Sequence, residues 1–499
     1  MAPRQGNGSG DPLDGGGALI AASLASRHRA TSAFSGVPRA RTSAGPPAIA
    51  GALVALLLAA LGSPVFAQSD DPPHSQRELF HLRDMVAPEE SLQSWVGRWL
   101  DQTNMLGDWA GLRPLLGRFG IAPTVAWVSD VQGNPIGGKQ QALREFDNLA
   151  IEVDIDLEKL VGAPGTKFHA GLSLRSGTSL SEIDIGNTFN VAQVCCGTTY
   201  RLVDVYLEQP FLDDRLNARL GRLSAGDEFM TSPLYWLFVS AGVNGNPAGI
   251  FQNAPGMSSY PVATWGARVR VRPTESVYVM AGAFNGDPTL GDNGKHGVDW
   301  TMRGPLFAIA EVGYLLNQGT GAPGLPGNYK VGGYYNGGPF PRFLGSAAGD
   351  AAPVAQGNAG FYVLVDQMIY RGGGANPPSL TPFASIVIAP NAAISTMPIF
   401  VNGGLVYRGL IPGRANDVAG FAVSYGSFSS DLRESQRLDR RAGVPATIQD
   451  YELVFEWSYS IQVARWLVVQ PDVQYIVKPG GSSAIPNALV AGVQVSVNF

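Results

Sequence analysis

The last stretch of the chain, Asn487 to Phe499, alternates with a period of two. Leu489, Ala491, Val493, Val495, Val497 and Phe499 fall on one face, and Val490, Gly492, Gln494, Ser496 and Asn498 on the other. Successive side chains of a strand point to opposite faces, so one face can meet lipid and the other water. A half-buried strand of a soluble sandwich alternates in the same way, so the number and spacing of such segments must decide. Sixteen strand-like segments follow one another from Ile121 to Phe499, at about 121–130, 147–157, 166–176, 199–209, 215–223, 262–272, 276–285, 304–315, 328–337, 360–370, 380–390, 399–410, 417–428, 449–462, 465–477 and 487–499. Clusters of Gly, Pro, Asn and Asp separate them. Their length suits tilted membrane strands of roughly 9–11 residues, and their even number suits a closed ring. The pattern predicts an all-β fold: a transmembrane antiparallel β-barrel of about 16 strands over residues 121–499.

The connections support this reading, because outer-membrane barrels have short periplasmic turns and long external loops. Segments 131–146, 177–198, 224–261, 286–303, 338–359 and 429–448 are long and fall on one side; 210–214, 273–275, 411–416 and 463–464 are short and fall on the other. The outer links 391–398 and 478–486 are short and the inner link 316–327 is long, against the trend. Upstream, Ser91 to Phe119 spaces apolar residues as helices do, which predicts one or two short amphipathic helices at the periplasmic mouth.

Composition narrows the class. With 45% hydrophobic and 15% charged residues the chain is too apolar for disorder. After residue 67 it has no 20-residue apolar run of the kind that a membrane helix needs. A net charge of −5 gives no reason to expect a nucleic-acid partner. Arg39 and Arg41, the apolar run Ala48 to Leu61, Gly62-Ser63-Pro64 and the small residues before Gln68 read as a secretory signal cleaved after Ala67. Residues 1–67 are thus expected to be a removed leader, and 68–120 a periplasmic or N-terminal helical segment. The adjacent Cys195 and Cys196 have no His or further Cys at metal-ligand spacing and read as two loop thiols or a vicinal disulfide.

If lipid takes the apolar faces, charge points inward. Leu149, Ile151, Val153 and Ile155 face out and Glu152, Asp154 and Asp156 in; Val203, Val205 and Leu207 face out and Asp204, Tyr206 and Glu208 in. Trp265, Ala267, Val269 and Val271 face out and Arg268, Arg270 and Arg272 in. Such charges are costly in lipid, so a water-filled interior is implied. Acidic and basic ladders on different walls would set a transverse field across a pore, with groups suited to sugar hydroxyls. His169 falls on the inward face beside Ser173 and Arg175 and reads as a polar lumen residue. The longest link carries Asp227, Glu228, Tyr235, Trp236, Phe238 and Tyr260. Folded inward, it would narrow the channel and offer rings to sugar C–H faces; folded outward, it would be an external cap.

The segments Leu106-Gly107-Asp108-Trp109-Ala110-Gly111-Leu112-Arg113, Asp154-Ile155-Asp156-Leu157-Glu158-Lys159-Leu160, Leu207-Glu208-Gln209, Leu220-Gly221-Arg222-Leu223 with Glu228-Phe229, Tyr260-Pro261 with Thr264-Trp265-Gly266-Ala267-Arg268, Tyr451-Glu452-Leu453, and Gln470-Pro471-Asp472-Val473-Gln474-Tyr475-Ile476 with Pro479-Gly480-Gly481 resemble the carbohydrate-selective porin (OprB) family in order and spacing. The resemblance implies a sixteen-stranded outer-membrane barrel in a Gram-negative bacterium. It would pass sugars passively, carry no cofactor, and have a constriction lined by Arg, Glu and aromatic residues. The implied partners are carbohydrate, outer-membrane lipid and, through the strand ending at Phe499, the barrel-assembly machinery; a homo-oligomer would need a lipid-facing patch that alternation does not locate.

Three rival readings differ in class. An outer-membrane enzyme would need a nucleophile and base, and the sequence has no Gly-x-Ser-x-Gly, His-Glu-x-x-His or phosphate-loop spacing, so neither catalytic nor metal residues are assigned. A general or anion-preferring diffusion pore remains the alternative, favoured by the arginine ladder, and a plugged structural barrel would not conduct. Replacing Arg268 and Arg270 together by Ala is expected to shift the reversal potential in planar bilayers; an unchanged potential would place both off the pore wall.

Overall fold

The computed structural model describes residues 95–499 apart from 195–196, 299, 319–321, 323, 346–352 and 375. The expected leader, residues 68–90 and the two cysteines lie outside the described residues.

Sixteen long strands form one antiparallel sheet: β1 (Ile121–Ile136), β2 (Leu143–Asp156), β3 (Lys167–Gly177), β4 (Thr199–Phe211), β5 (Leu216–Leu223), β6 (Thr264–Thr274), β7 (Val277–Asn285), β8 (Leu306–Leu316), β9 (Gly327–Pro341), β10 (Val354–Gln367), β11 (Ser379–Ile388), β12 (Ile399–Arg408), β13 (Val418–Ser427), β14 (Tyr451–Ala464), β15 (Leu467–Val477) and β16 (Ala488–Asn498). A two-residue strand, Tyr370–Arg371, adds only to β11. Each long strand pairs with the next, and β16 returns to β1 with Val497 opposite Trp127, which closes the ring. Closure leaves no unpaired edge, the condition for carrying a sheet through lipid. Each expected segment holds one strand. The outer link expected at 131–146 contracts to 137–142, because β1 and β2 stay paired as far as Gly133 opposite Leu143.

Alternation sets the faces. In β16, Val490, Gln494 and Asn498 are buried inside while Ala491 and Val493 are exposed outside. One expected position fails this rule. Val203, expected to face lipid, is 1% exposed. Between β3 and β4 the register passes from Ala170–Val205 to Leu172–Leu202, so Val203 and Asp204 together oppose Gly171. This β-bulge inverts the parity of the outer end of β4, turning Thr199 and Arg201 inward and leaving Tyr200 exposed.

Short helices α1 (Trp95–Leu100) and α2 (Leu112–Arg118) precede the barrel, as the apolar spacing predicts. They lie against the β14–β15 turn and the end of β16. The Trp99 and Trp466 rings are 4.5 Å apart, Trp466 Nε1 donates to the Trp99 carbonyl at 3.0 Å, and Met105 N donates to the Asn498 carbonyl at 2.8 Å. Arg113 donates to a main-chain oxygen of Phe499.

β5 is short because the chain leaves the wall at Leu223 and turns inside. The outer part of β4 thereby loses a neighbour, and the link 286–305 fills the place. Leu202 N donates to the His296 carbonyl at 3.0 Å, Arg201 reaches the Gly291 carbonyl at 2.9 Å, and the His296 ring stacks on Tyr200 at 4.1 Å. Gly297, at φ +68°, lies so close that a Cβ would come 2.0 Å from the Leu202 carbonyl oxygen, a position only glycine tolerates.

At the outer end, ion pairs fix two further links. Buried Asp184 accepts from Arg144 at 2.8 Å and from Gln140 at 2.6 Å, and Asp450 meets Lys478 and Arg433, each at 2.8 Å. The Arg144 hydrogen bond holds Asp184 below its usual pKa, and the Lys478 bond, with Arg433 nearby, does the same for Asp450. A depressed folded-state pKa gives stability that is present above the unfolded value, about 3.9 for Asp, and is lost as pH falls through the folded value. Links 178–198 and 428–450 are therefore expected to gain hydrogen-exchange rate as pH drops below about 4, after correction for intrinsic exchange. Protection unchanged down to pH 2 would refute the assignment.

Candidate functional site

The link 224–263 runs inside the barrel, pinned in turn to successive strands. Glu228 at its start bonds Arg219 of β5 and lies 2.8 Å from Arg268 of β6. Met230 N donates to Glu311 of β8 at 3.0 Å, and Glu311 also accepts the hydroxyls of Tyr278 and Tyr362 at 2.6 and 2.9 Å. Lys330 of β9 donates to the Thr231 carbonyl at 2.8 Å, and Ser232 Oγ to Asp366 of β10 at 2.8 Å. Asn402 of β12 donates to the Gly242 carbonyl at 3.1 Å. Glu456 of β14 accepts Val239 N and Ser240 N at 2.6 and 3.2 Å, while Gln470 of β15 donates to the Leu237 carbonyl at 3.0 Å. A second inward link repeats the device, Glu452 accepting Thr188 N and Phe189 N, each at 2.7 Å.

Apolar residues of this belt, among them Phe229, Tyr235, Phe238 and Ile250, pack with Phe307, Phe383, Phe400 and Val454 of the wall into a buried core. Most wall residues of that core come from β7–β16. The open space lies mainly against β1–β6, where a cavity of about 600 Å³, lined also by Tyr278, Met280, Leu315 and Lys330 of β7–β9, reaches from the belt to Gly117 of α2 and Gly120.

Glu152 and Asp154 of β2, Asp204, Tyr206 and Glu208 of β4, Arg270 of β6, and Asp227, Glu228, Trp236 and Tyr260 of the belt all line that cavity. Arg268 lies behind this surface. It is 1% exposed, and besides Glu228 it donates to Asn217 Oδ1 at 2.6 Å. The acidic and basic ladders lie on β2 and β6, four strands apart in a ring of sixteen, so they are neighbouring arcs. Between them Arg219 lies 2.9 Å from Glu208 and 4.9 Å from the Tyr206 ring. His169 lies 3.0 Å from Asp154 and 4.9 Å from the same ring. Tyr260 accepts from Asn148 at 3.0 Å, with Arg175 5.8 Å from its ring. It also lines a second cavity of about 380 Å³ beneath the outer links. Arg219, Glu311, Lys330, Glu452 and Glu456 were not singled out from sequence as site residues. Alternation carries the signal for Arg219, which shares a face with Asn217 opposite Ala218 and Leu220.

The model of the "Carbohydrate-selective porin, OprB family" matches residues 140–499. Porin B of Pseudomonas aeruginosa is 28% identical over 79% of this chain and 91% of its own. The Putative porin QuiX of Acinetobacter baylyi is 25% identical over 80% of this chain and 94% of its own. The high pH structure of Pseudomonas putida OprB superposes with a TM-score of 0.74 at 27% identity, covering 82% of this chain and all of that one.

Replacing Glu456 by Leu would strip the acceptor from two buried belt N–H groups, at about 1–3 kcal/mol each. The expected result is a lower unfolding midpoint in urea and noisier open-channel current in planar bilayers. Wild-type values for both would show that the belt does not depend on this carboxylate.

Proposed function

Because the chain belongs to the carbohydrate-selective porin, OprB family, and is thus a carbohydrate porin of a Gram-negative outer membrane, we propose that sugars cross along the β1–β6 wall beneath the belt. The observation that carries this reading is the 600 Å³ cavity where carboxylates, guanidinium groups and rings converge. Sugar hydroxyls donate to Glu152, Asp154, Asp204, Asp227 and Glu208 and accept from Arg219 and Arg270, so a polyol replaces its hydration shell at little cost. Trp236, Tyr206 and Tyr260 present ring faces to the apolar C–H side of the sugar. Glu228 and Arg268 hold the belt that sets the width, and Arg268 acts through Glu228 without touching the solute.

Diffusion through such a channel is passive, and mono- and small oligosaccharides match the cavity. Strand β16, with its alternating pattern up to Phe499, is the segment we assign to recognition by the barrel-assembly machinery.

Liposome swelling with the purified protein in glucose, larger saccharides and a size-matched amino acid tests the channel. Sugars entering faster than the amino acid would support selectivity, equal rates would reduce the protein to a general pore, and no swelling would mean a plugged barrel. In the same assay Trp236→Ala should lessen the preference for sugar over the amino acid; an unchanged preference would move the aromatic contact elsewhere.

A further inference from the structure

Near their outer ends, β5 and β7 each carry a polar side chain on the lipid side of the wall. Arg222 shares a face of β5 with Ala218 and Leu220 and stands opposite Trp265, a lipid-facing residue of β6. Asn285 shares a face of β7 with Ala281 and Ala283 and stands opposite Leu306 of β8, which is exposed. A guanidinium or an amide turned toward lipid is costly. Both are nevertheless covered, at 2% and 9% exposure.

The cover is the later half of the link 286–305. The Trp300 ring lies 5.5 Å from the Arg222 guanidinium and 5.4 Å from the Trp265 ring. Trp265 Nε1 donates to the Trp300 carbonyl at 3.1 Å, and Asn285 Nδ2 donates to the Thr301 carbonyl at 3.1 Å. Gly304 packs so closely on Asn285 that a Cβ would come 2.4 Å from its Oδ1. Contacts to outward side chains of three neighbouring strands thus place Trp300 and Thr301 on the lipid side of the wall. Val298, Trp300 and Met302 of this segment are left 56, 50 and 70% exposed. Apolar side chains grouped in this way mark a surface that meets another apolar phase.

We propose that Val298, Trp300 and Met302 form a lipid-contacting surface, seated where the headgroups of the outer leaflet give way to acyl chains. Continuity with the wall carries this assignment. Ala267, Ala283 and Ala308 of β6–β8 stand opposite one another in the next row toward the membrane centre, so the link overhangs a surface that the barrel already gives to lipid. Trp is enriched at that depth. Arg303, exposed beside Met302, has the length to reach headgroup phosphates while its stem stays against apolar surface. The link then works as a strap with two faces. One face seals Arg222 and Asn285 from lipid, and the other is held in place by lipid.

The chain has nine Trp, so the test reads the difference in fluorescence between wild type and Trp300→Phe in phosphatidylcholine vesicles, with heat-modifiable gel migration reporting that each barrel is folded. The emission lost with Trp300 should be quenched by brominated acyl chains, and more by bromine near the headgroup than by bromine at the chain end. Acrylamide in the water should quench it less. Quenching by acrylamide and not by brominated lipid would put the link in solvent and overturn the assignment. Quenching by neither would mean a protein cover, such as a second copy of the chain, and would overturn it as well. Stronger quenching from the chain end would overturn the interfacial depth. If Trp300→Phe fails to fold, Met302→Cys labelled with nitrobenzoxadiazole decides, with Cys195 and Cys196 replaced by Ser. Quenching of that label by nitroxide-bearing lipid supports the contact, and its absence overturns it. None of these outcomes depends on the sugar path.

Discussion

A polypeptide that turns back inside a closed barrel takes its peptide groups away from bulk water, and each N–H and C=O then needs a partner. The wall cannot lend its own backbone, because the barrel's ladder has already used it. Side chains must therefore supply what is missing. Glu311, Glu452 and Glu456 accept belt and loop N–H groups, and Lys330, Asn402 and Gln470 donate to carbonyls. Polar residues facing inward from β8–β15 thus serve the belt, while several of those on β1–β6 line the channel cavity and also hold the two ends of the belt.

That division makes the interior lopsided. Part of it is an aromatic and aliphatic core of the kind found in soluble domains, and beside that core lies a polar cavity. The belt also has a cost in the wall. By departing at Leu223 it shortens β5, and the Leu202 N–H of β4 is met instead by the His296 carbonyl of the link 286–305.

The strands were legible because a barrel wall has lipid on one side, and lipid enforces alternation over every segment, as in β2 and β6. The inward charges of Glu152, Asp154 and Arg270 were legible for the same reason. Val203 was not, because a bulge adds one residue without changing local composition. Nor could alternation tell Arg268, folded against Asn217 and Glu228, from Arg270, which lines the cavity. The belt's direction is set by partners more than two hundred residues away, Val239 with Glu456 for instance. Nothing in the sequence near either residue records that pairing. Glu452 and Glu456 were not singled out because their partners are main-chain groups, which carry no side-chain signature.

The contacts between the N-terminal helices and β16 have a kinetic side. Arg113 and Phe499 are 386 residues apart, so their meeting encloses nearly the whole described chain, and contacts of such long range form late because loop closure must come first. The surface that receives Trp99 is built from the β14–β15 turn and the seam side of β16. It exists only once the sheet has rolled up and β16 has found β1. The helices therefore act as a clasp that can fasten only on a finished ring, and an incompletely zipped barrel would leave them unattached.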